Sequence, residues 1–106
     1  MVDATFVQGD TDPDISAVLH DEDDPTAVLD LSTALGVRFQ MRKGDDRAFT
    51  VNAAATIDDA EHGVVHYTWG AHDLAVHGKY QVQWEVTRAS GRIQTSSQKE
   101  IEIRRK

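Results

Sequence analysis

The chain has 106 residues and no cysteine, which excludes a disulfide framework and thiolate chemistry. Its 18 Asp and Glu residues outnumber 11 Lys and Arg residues, and the net charge of −7 argues against nucleic acid or an anionic membrane as the main partner. The length fits one domain, residues 1–106, and no linker, repeat, membrane-spanning run or secretory signal is visible. We expect no enzymatic role.

Short alternating runs separated by acidic or glycine-containing turns fill the first half of the chain. Inward-facing residues at every second position are typical of half-buried strands. The predicted elements are strands over 5–8, 15–20 and 37–42, a charged loop over 20–25, a brief return to the core over 28–31, a turn or single helical turn over 32–36, and a hairpin loop over 43–47.

The second half continues the same pattern, with its clearest alternation in the run that begins at Tyr80. The predicted elements are strands over 49–57, 64–69, 80–87, 92–95 and 100–104, turns over 58–63 and 89–91, a helical turn over 71–78 ended by Gly78, and a solvated basic tail over 104–106. About seven to nine antiparallel strands with regularly spaced turns indicate an all-β, immunoglobulin-like β-sandwich.

One segment resembles the corner between strands E and F of immunoglobulin-type domains. Asp73 and Ala75 precede Gly78 and Tyr80 by a short turn, and Val82 stands where antibody domains place a cysteine. In that corner a tyrosine hydroxyl bonds back to upstream backbone and fixes the crossing of the chain. The resemblance implies the same structural role for Tyr80.

Several segments, each weak alone, occur together in an order that carries more weight: residues 6–11, 30–42, 63–69, 75–86 and 92–95. In this order the chain resembles the N-terminal domain of phage baseplate upper proteins and related small tailed-virus proteins. The resemblance implies a virion component of a tail, baseplate or connector that is made in the host cytoplasm. Chains of that family usually continue beyond this domain, so the length favours a free-standing adaptor or accessory protein.

A protein of this kind needs partners and no cofactor. We expect contacts with other virion proteins and a ring or array of identical copies. An unpaired sheet edge is one way to make such contacts. The first and last strands are the candidate edges, and the candidate interface residues are Thr5, Phe6, Val7, Ile101 and Ile103.

The alternative is a small carbohydrate- or metal-binding module on the same sandwich. The candidate metal ligands are His20, His62, His66, His72 and His77, together with the calcium-loop-like series Asp10, Asp12 and Asp14. A zinc site needs convergent ligands, and a calcium loop needs Gly and Glu at positions that Ile15 and Asp21 occupy here, so both sets are expected to be solvated.

Two acidic pairs and the aromatic residues complete the candidates. Asp45-Asp46 and Asp58-Asp59 fall in predicted turns, where solvent exposure leaves them unsuited to acid–base work. Trp69 or Trp84 at a sheet rim is the best candidate for a sugar platform, although most aromatic residues are expected in the core.

Overall fold

Ten strands and no helix make up the part of the chain that the computed structural model describes, residues 3–21, 24–44, 46–96 and 98–106. The strands are β1 (Ala4–Val7), β2 (Ile15–Val18), β3 (His20–Asp21), β4 (Asp24–Val28), β5 (Ala34–Lys43), β6 (Val51–Asp59), β7 (Val64–Tyr67), β8 (Gly78–Arg88), β9 (Ile93–Thr95) and β10 (Lys99–Arg104). The predicted all-β class is confirmed. These ranges hold no helix long and apolar enough to cross a membrane.

Eight strands form one curled sheet in the order β1-β10-β8-β5-β6-β7-β2, with β9 paired to β8. The sheet has the shape of a half-barrel, so the expectation of a two-sheet sandwich is corrected. The expectation of antiparallel strands throughout is also corrected, because β1 runs parallel to β10 while the other pairs are antiparallel. The two remaining strands, β3 and β4, pair with each other.

The curl depends on β6, which belongs to both halves of the sheet. Its first part, residues 51–55, pairs with β5, and its second part, residues 56–59, pairs with β7 across a register shift between Ile57 and Asp59. Such irregularities bend a strand and increase its twist. Turn spacing in the sequence predicts how many strands form, but not that one strand is shared.

Four local predictions are corrected. The predicted charged loop over 20–25 includes β3 and the start of β4, which pair as a hairpin. Glu22 and Asp23 lie outside the described residues. The segment before Gly78 forms successive turns, with no helix. The turn near Ser32 is short because β5 already begins at Ala34, and β6 begins at Val51, after Phe49.

The core is built from the inward residues of β5 and β8, as their alternation predicts. Phe39 lies opposite Trp84 and is fully buried. Its ring stacks on Tyr67 at a centroid distance of 4.9 Å and meets Trp84 at 5.0 Å and Trp69 at 5.5 Å. This aromatic cluster joins the two halves of the half-barrel, because Phe39 belongs to the β5 side and Tyr67 to the β7 side.

Candidate functional site

The corner before β8 contains the Tyr80 hydrogen bond that the sequence predicts. Tyr80 is buried, and its hydroxyl donates to the carbonyl of Val76 at 2.8 Å. Gly78 opens the strand at φ 139°, a conformation that side chains rarely adopt. The carbonyl of Ala75 accepts a hydrogen bond at 2.8 Å from the Gln8 side chain, just beyond β1. The corner is therefore tied to the first strand, and its contribution to stability stays a prediction.

The fourth corner residue, Asp73, bonds to a different tyrosine. Its carboxylate accepts hydrogen bonds from the Tyr67 hydroxyl at 2.5 Å and from the Gly70 backbone N–H at 2.7 Å. Burial, followed by the hydrogen bond and negative charge of Asp73, raises the pKa of Tyr67 to about 12. Asp73 thus holds the segment that follows β7 in place, a role that the sequence does not predict.

The raised pKa predicts a loss of stability at high pH. A tyrosine whose folded pKa exceeds its unfolded value near 10 stabilises the fold fully below that pH, and the stabilisation is lost as the pH rises through about 12. The chain has two tyrosines, so Tyr80→Phe leaves Tyr67 alone to titrate. We expect a midpoint near pH 12 for tyrosinate absorbance after rapid pH jumps that precede unfolding. A midpoint at the ordinary value would contradict both the burial of Tyr67 and its bond to Asp73.

Three of the five histidines, His62, His66 and His77, pair with acids or with a cation. His66 Nδ1 lies 2.7 Å from Asp58, and its Nε2 lies 3.8 Å from Asp14. His62 lies 2.8 Å from Asp59, and His77 Nε2 accepts a hydrogen bond at 3.1 Å from an arginine near the C-terminus. Throughout the described ranges, no three His, Asp or Glu side chains form a group that could hold a metal ion.

The described residues of the acidic series and of the two acidic pairs are open to solvent or contact neighbouring side chains. Asp14 accepts a hydrogen bond from the Thr68 hydroxyl at 3.1 Å, and Asp10 and Asp12 are at least partly open to solvent. Asp46 is exposed, while its neighbour Asp45 lies outside the described residues. Asp58 and Asp59 end β6 and do not lie in the predicted turn; Asp59 contacts His62 in the turn that follows, and Asp58 contacts His66 on the neighbouring strand β7.

The two tryptophans are core residues. The prediction that one of them lies at a sheet rim as a sugar platform is therefore wrong. Trp69 and Trp84 are each 3% exposed. Trp69 packs edge-on against Phe6 at 5.1 Å, which joins β1 to the segment after β7. Its indole N–H is buried and has no acceptor among the described residues.

The predicted interface residues divide into an edge strand and an interior strand. β1 lies at one end of the sheet, where Thr5 and Val7 are exposed and Phe6 is buried in the core. Ile101 and Ile103 are each 1% exposed, and β10 is paired on both sides, with β1 and with β8. The last strand is therefore no edge, because the first strand covers it in a parallel pairing that alternation does not reveal.

The opposite end of the sheet is β2, an edge that the sequence did not single out. Within the described ranges β2 is paired on one side only, with β7. Ile15 and Ala17 face inward, whereas Ser16 and Val18 are exposed. Alternation over 15–18 predicts which residues face the core, but it carries no signal for the position of a strand in the sheet.

A groove lies between the two ends of the curled sheet, where the half-barrel is open. Its volume is about 120 Å³. The floor and walls are mostly apolar, and the lining residues are Asp3, Ala4, Ile15, Ser16, Ala17, Val82, Trp84, Lys99 and Ile101. Asp3 is held in place by accepting a hydrogen bond from the Glu100 backbone N–H at 3.0 Å. The arrangement can bind an apolar side chain.

A family model for the BppU N-terminal domain matches residues 5–104, from β1 to the end of β10. The chain belongs to the BppU N-terminal domain family. BppU is the baseplate upper protein, so membership implies a phage baseplate structural protein. The match confirms the resemblance that the sequence shows in five segments along the chain. No curated protein and no solved structure matches the chain.

The groove at the open end of the half-barrel lies mostly within the part of the chain that matches the BppU N-terminal domain. The matched residues include all of β2, and all of β1 except its first residue, Ala4, which lines the groove together with Asp3. The sequence predicts the family and the first of these edges. The second edge and the groove depend on how the sheet curls, which only the structure reveals.

Proposed function

We propose that this chain is a structural module of a phage baseplate that acts through protein–protein contacts and catalyses no reaction. Its partners are other virion proteins, and its place is the assembled particle after synthesis in the host cytoplasm. The observation that carries the proposal is the match to the BppU N-terminal domain over residues 5–104. The apolar groove between β1 and β2 supports a binding role.

A ring or array of identical copies is part of the proposal. Two large apolar side chains are exposed near one end of β8, Leu35 at 72% and Ile93 at 63%. Ile93 lies directly opposite Thr87 on β8, and Leu35 stands at the register shift where β5 meets the same end. Exposed apolar surface of this kind supports a contact with protein, because its removal from water favours association.

Co-expression tests this function directly. A tagged chain is produced together with the proteins encoded by neighbouring tail and baseplate genes, and the products are separated by size exclusion and sedimentation. We expect a stable complex with at least one of these proteins that contains several copies of the chain. Isolation of the chain as a monomer with every candidate, and its absence from purified particles, would refute a structural role in the baseplate.

A further inference from the structure

We propose that the groove between β1 and β2 binds an extended segment of a partner protein, which pairs with the free edge of β2 and places one apolar side chain in the groove. This proposal rests on the proposed function and names the kind of partner that the baseplate module takes. The segment adds a strand to the open end of the half-barrel.

The size of the groove fits one large apolar side chain. Its volume is about 120 Å³, and an apolar cavity of about 150 Å³ takes up benzene. Val82, Trp84 and Ile101 lie on one side of the groove, and Ile15 and Ala17 lie on the other. An aliphatic or aromatic side chain inserted there loses its contact with water on both sides, which is the main source of favourable free energy.

The edge of β2 offers backbone hydrogen bonds beside that groove. Addition of a strand to a free edge combines backbone pairing with pockets for alternate side chains. β2 contributes three consecutive residues to the groove, Ile15 to Ala17, whereas β1 contributes only Ala4 from its strand. The rest of the β1 inward face is already filled, because Phe6 packs against Trp69. β2 is therefore the edge that a partner strand meets.

Charge defines the ends of the partner segment. Asp10, Asp12 and Asp14 stand immediately before β2 in the chain, and Asp3 lines the groove. Lys99 is the one cation among the groove residues. An apolar strand with Lys or Arg at both ends complements this arrangement, because opposite charges at the rim favour encounter and fix the register.

A synthetic peptide provides the probe. Its sequence is Lys-Thr-Val-Thr-Leu-Thr-Val-Thr-Lys with blocked ends, so that one face is apolar and both ends are basic. Titration into the ¹⁵N-labelled chain is followed by NMR, and we expect saturable shifts concentrated at the amides of residues 15–18. Two control peptides, one with Asp at both ends and one with Pro in place of Leu, are expected to bind at least tenfold more weakly.

A matched pair of variants locates the site. Ala17→Leu fills the groove with apolar atoms and is expected to weaken peptide binding at least tenfold. Ala54→Leu makes the same change at an exposed position of β6 and is expected to leave binding unchanged. Thermal unfolding of both variants verifies that each is folded. If Ala17→Leu does not fold, the shift pattern of the unmodified chain still decides the question.

Several outcomes overturn the proposal. Absence of saturable shifts, saturable shifts that leave residues 15–18 unchanged, or equal binding by folded Ala17→Leu would each do so. Concentration-dependent shifts at residues 15–18 without peptide would identify a second copy as the occupant instead. The co-expression experiment distinguishes the groove proposal from the proposed baseplate function. If the Ala17→Leu variant still forms the complex, the groove is not needed for assembly, and the baseplate function still stands. Failure of the unmodified chain to form any complex would count against the function itself.

Discussion

Replacement of Phe39 by alanine is expected to lower the free energy of unfolding by about 3–5 kcal/mol, the usual cost of truncating a buried phenylalanine. The side chain is fully buried, and its ring contacts Tyr67, Trp69 and Trp84. Aromatic pairs add about 0.5–1.5 kcal/mol beyond the area they bury. Domains of this kind are stable by about 5–15 kcal/mol, so one substitution removes a large part of the total.

Urea unfolding followed by circular dichroism measures this change, and Phe49→Ala is the matched control. Phe49 is 36% exposed and lies outside the aromatic cluster. We expect Phe49→Ala to lower the free energy of unfolding clearly less than Phe39→Ala does, because the Phe49 side chain buries less apolar area when the chain folds. Equal losses for the two variants would contradict the placement of Phe39 at the centre of the core.

Gly63→Ala is expected to cost at least about 3 kcal/mol, for two reasons that act together. Gly63 has φ +68°, where a side chain brings strain. A Cβ at this position would also lie 2.6 Å from the carbonyl oxygen of Leu29 and 2.8 Å from that of Leu19. Both are backbone atoms, and the Gly63 carbonyl itself accepts a hydrogen bond from the Leu19 N–H. The change therefore disturbs the segment that follows β2.

Gly44→Ala separates the two effects. Gly44 has φ +51°, but a Cβ there would meet no atom within 4 Å. Its cost is expected to be only the conformational part, about 1–2 kcal/mol. Thermal and urea unfolding of the two variants give the comparison. If Gly63→Ala were no more destabilising than Gly44→Ala, the close approach of Leu19 and Leu29 to Gly63 would be wrong.

Local physical rules predict much of the strand content. Alternation identifies the inward residues of β5 and β8 because side chains on a strand point to opposite faces in turn. Glycines at positive φ mark the turns after residues 43, 62 and 90. The Tyr80 hydrogen bond to Val76 follows from a short segment whose order of residues is informative by itself.

Pairings between distant strands could not be predicted in the same way. The parallel pair of β1 and β10 joins the two ends of the chain, with Phe6 opposite Ile103. Nothing in either strand specifies the other as its neighbour, since both show the same alternation. The curl of the sheet likewise depends on the shared strand β6, whose partner changes from β5 to β7 along its length.

The candidate site follows from those distant pairings, which is why only part of it is visible in the sequence. β1 is an edge as expected from the start of the chain, but Ile101 and Ile103 are enclosed by its parallel pairing with β10. The groove combines residues from β1, β2, β8 and β10. A groove lined by residues from four strands can be recognised only when both the order of the strands and the curl of the sheet are known.

Electron cryomicroscopy of purified particles tests whether this half-barrel is a structural part of the baseplate. We expect density for the chain at a fixed position in the baseplate, in contact with other virion proteins and with an additional strand along β2. A fully resolved baseplate that contains no copy of the chain would contradict this structural role.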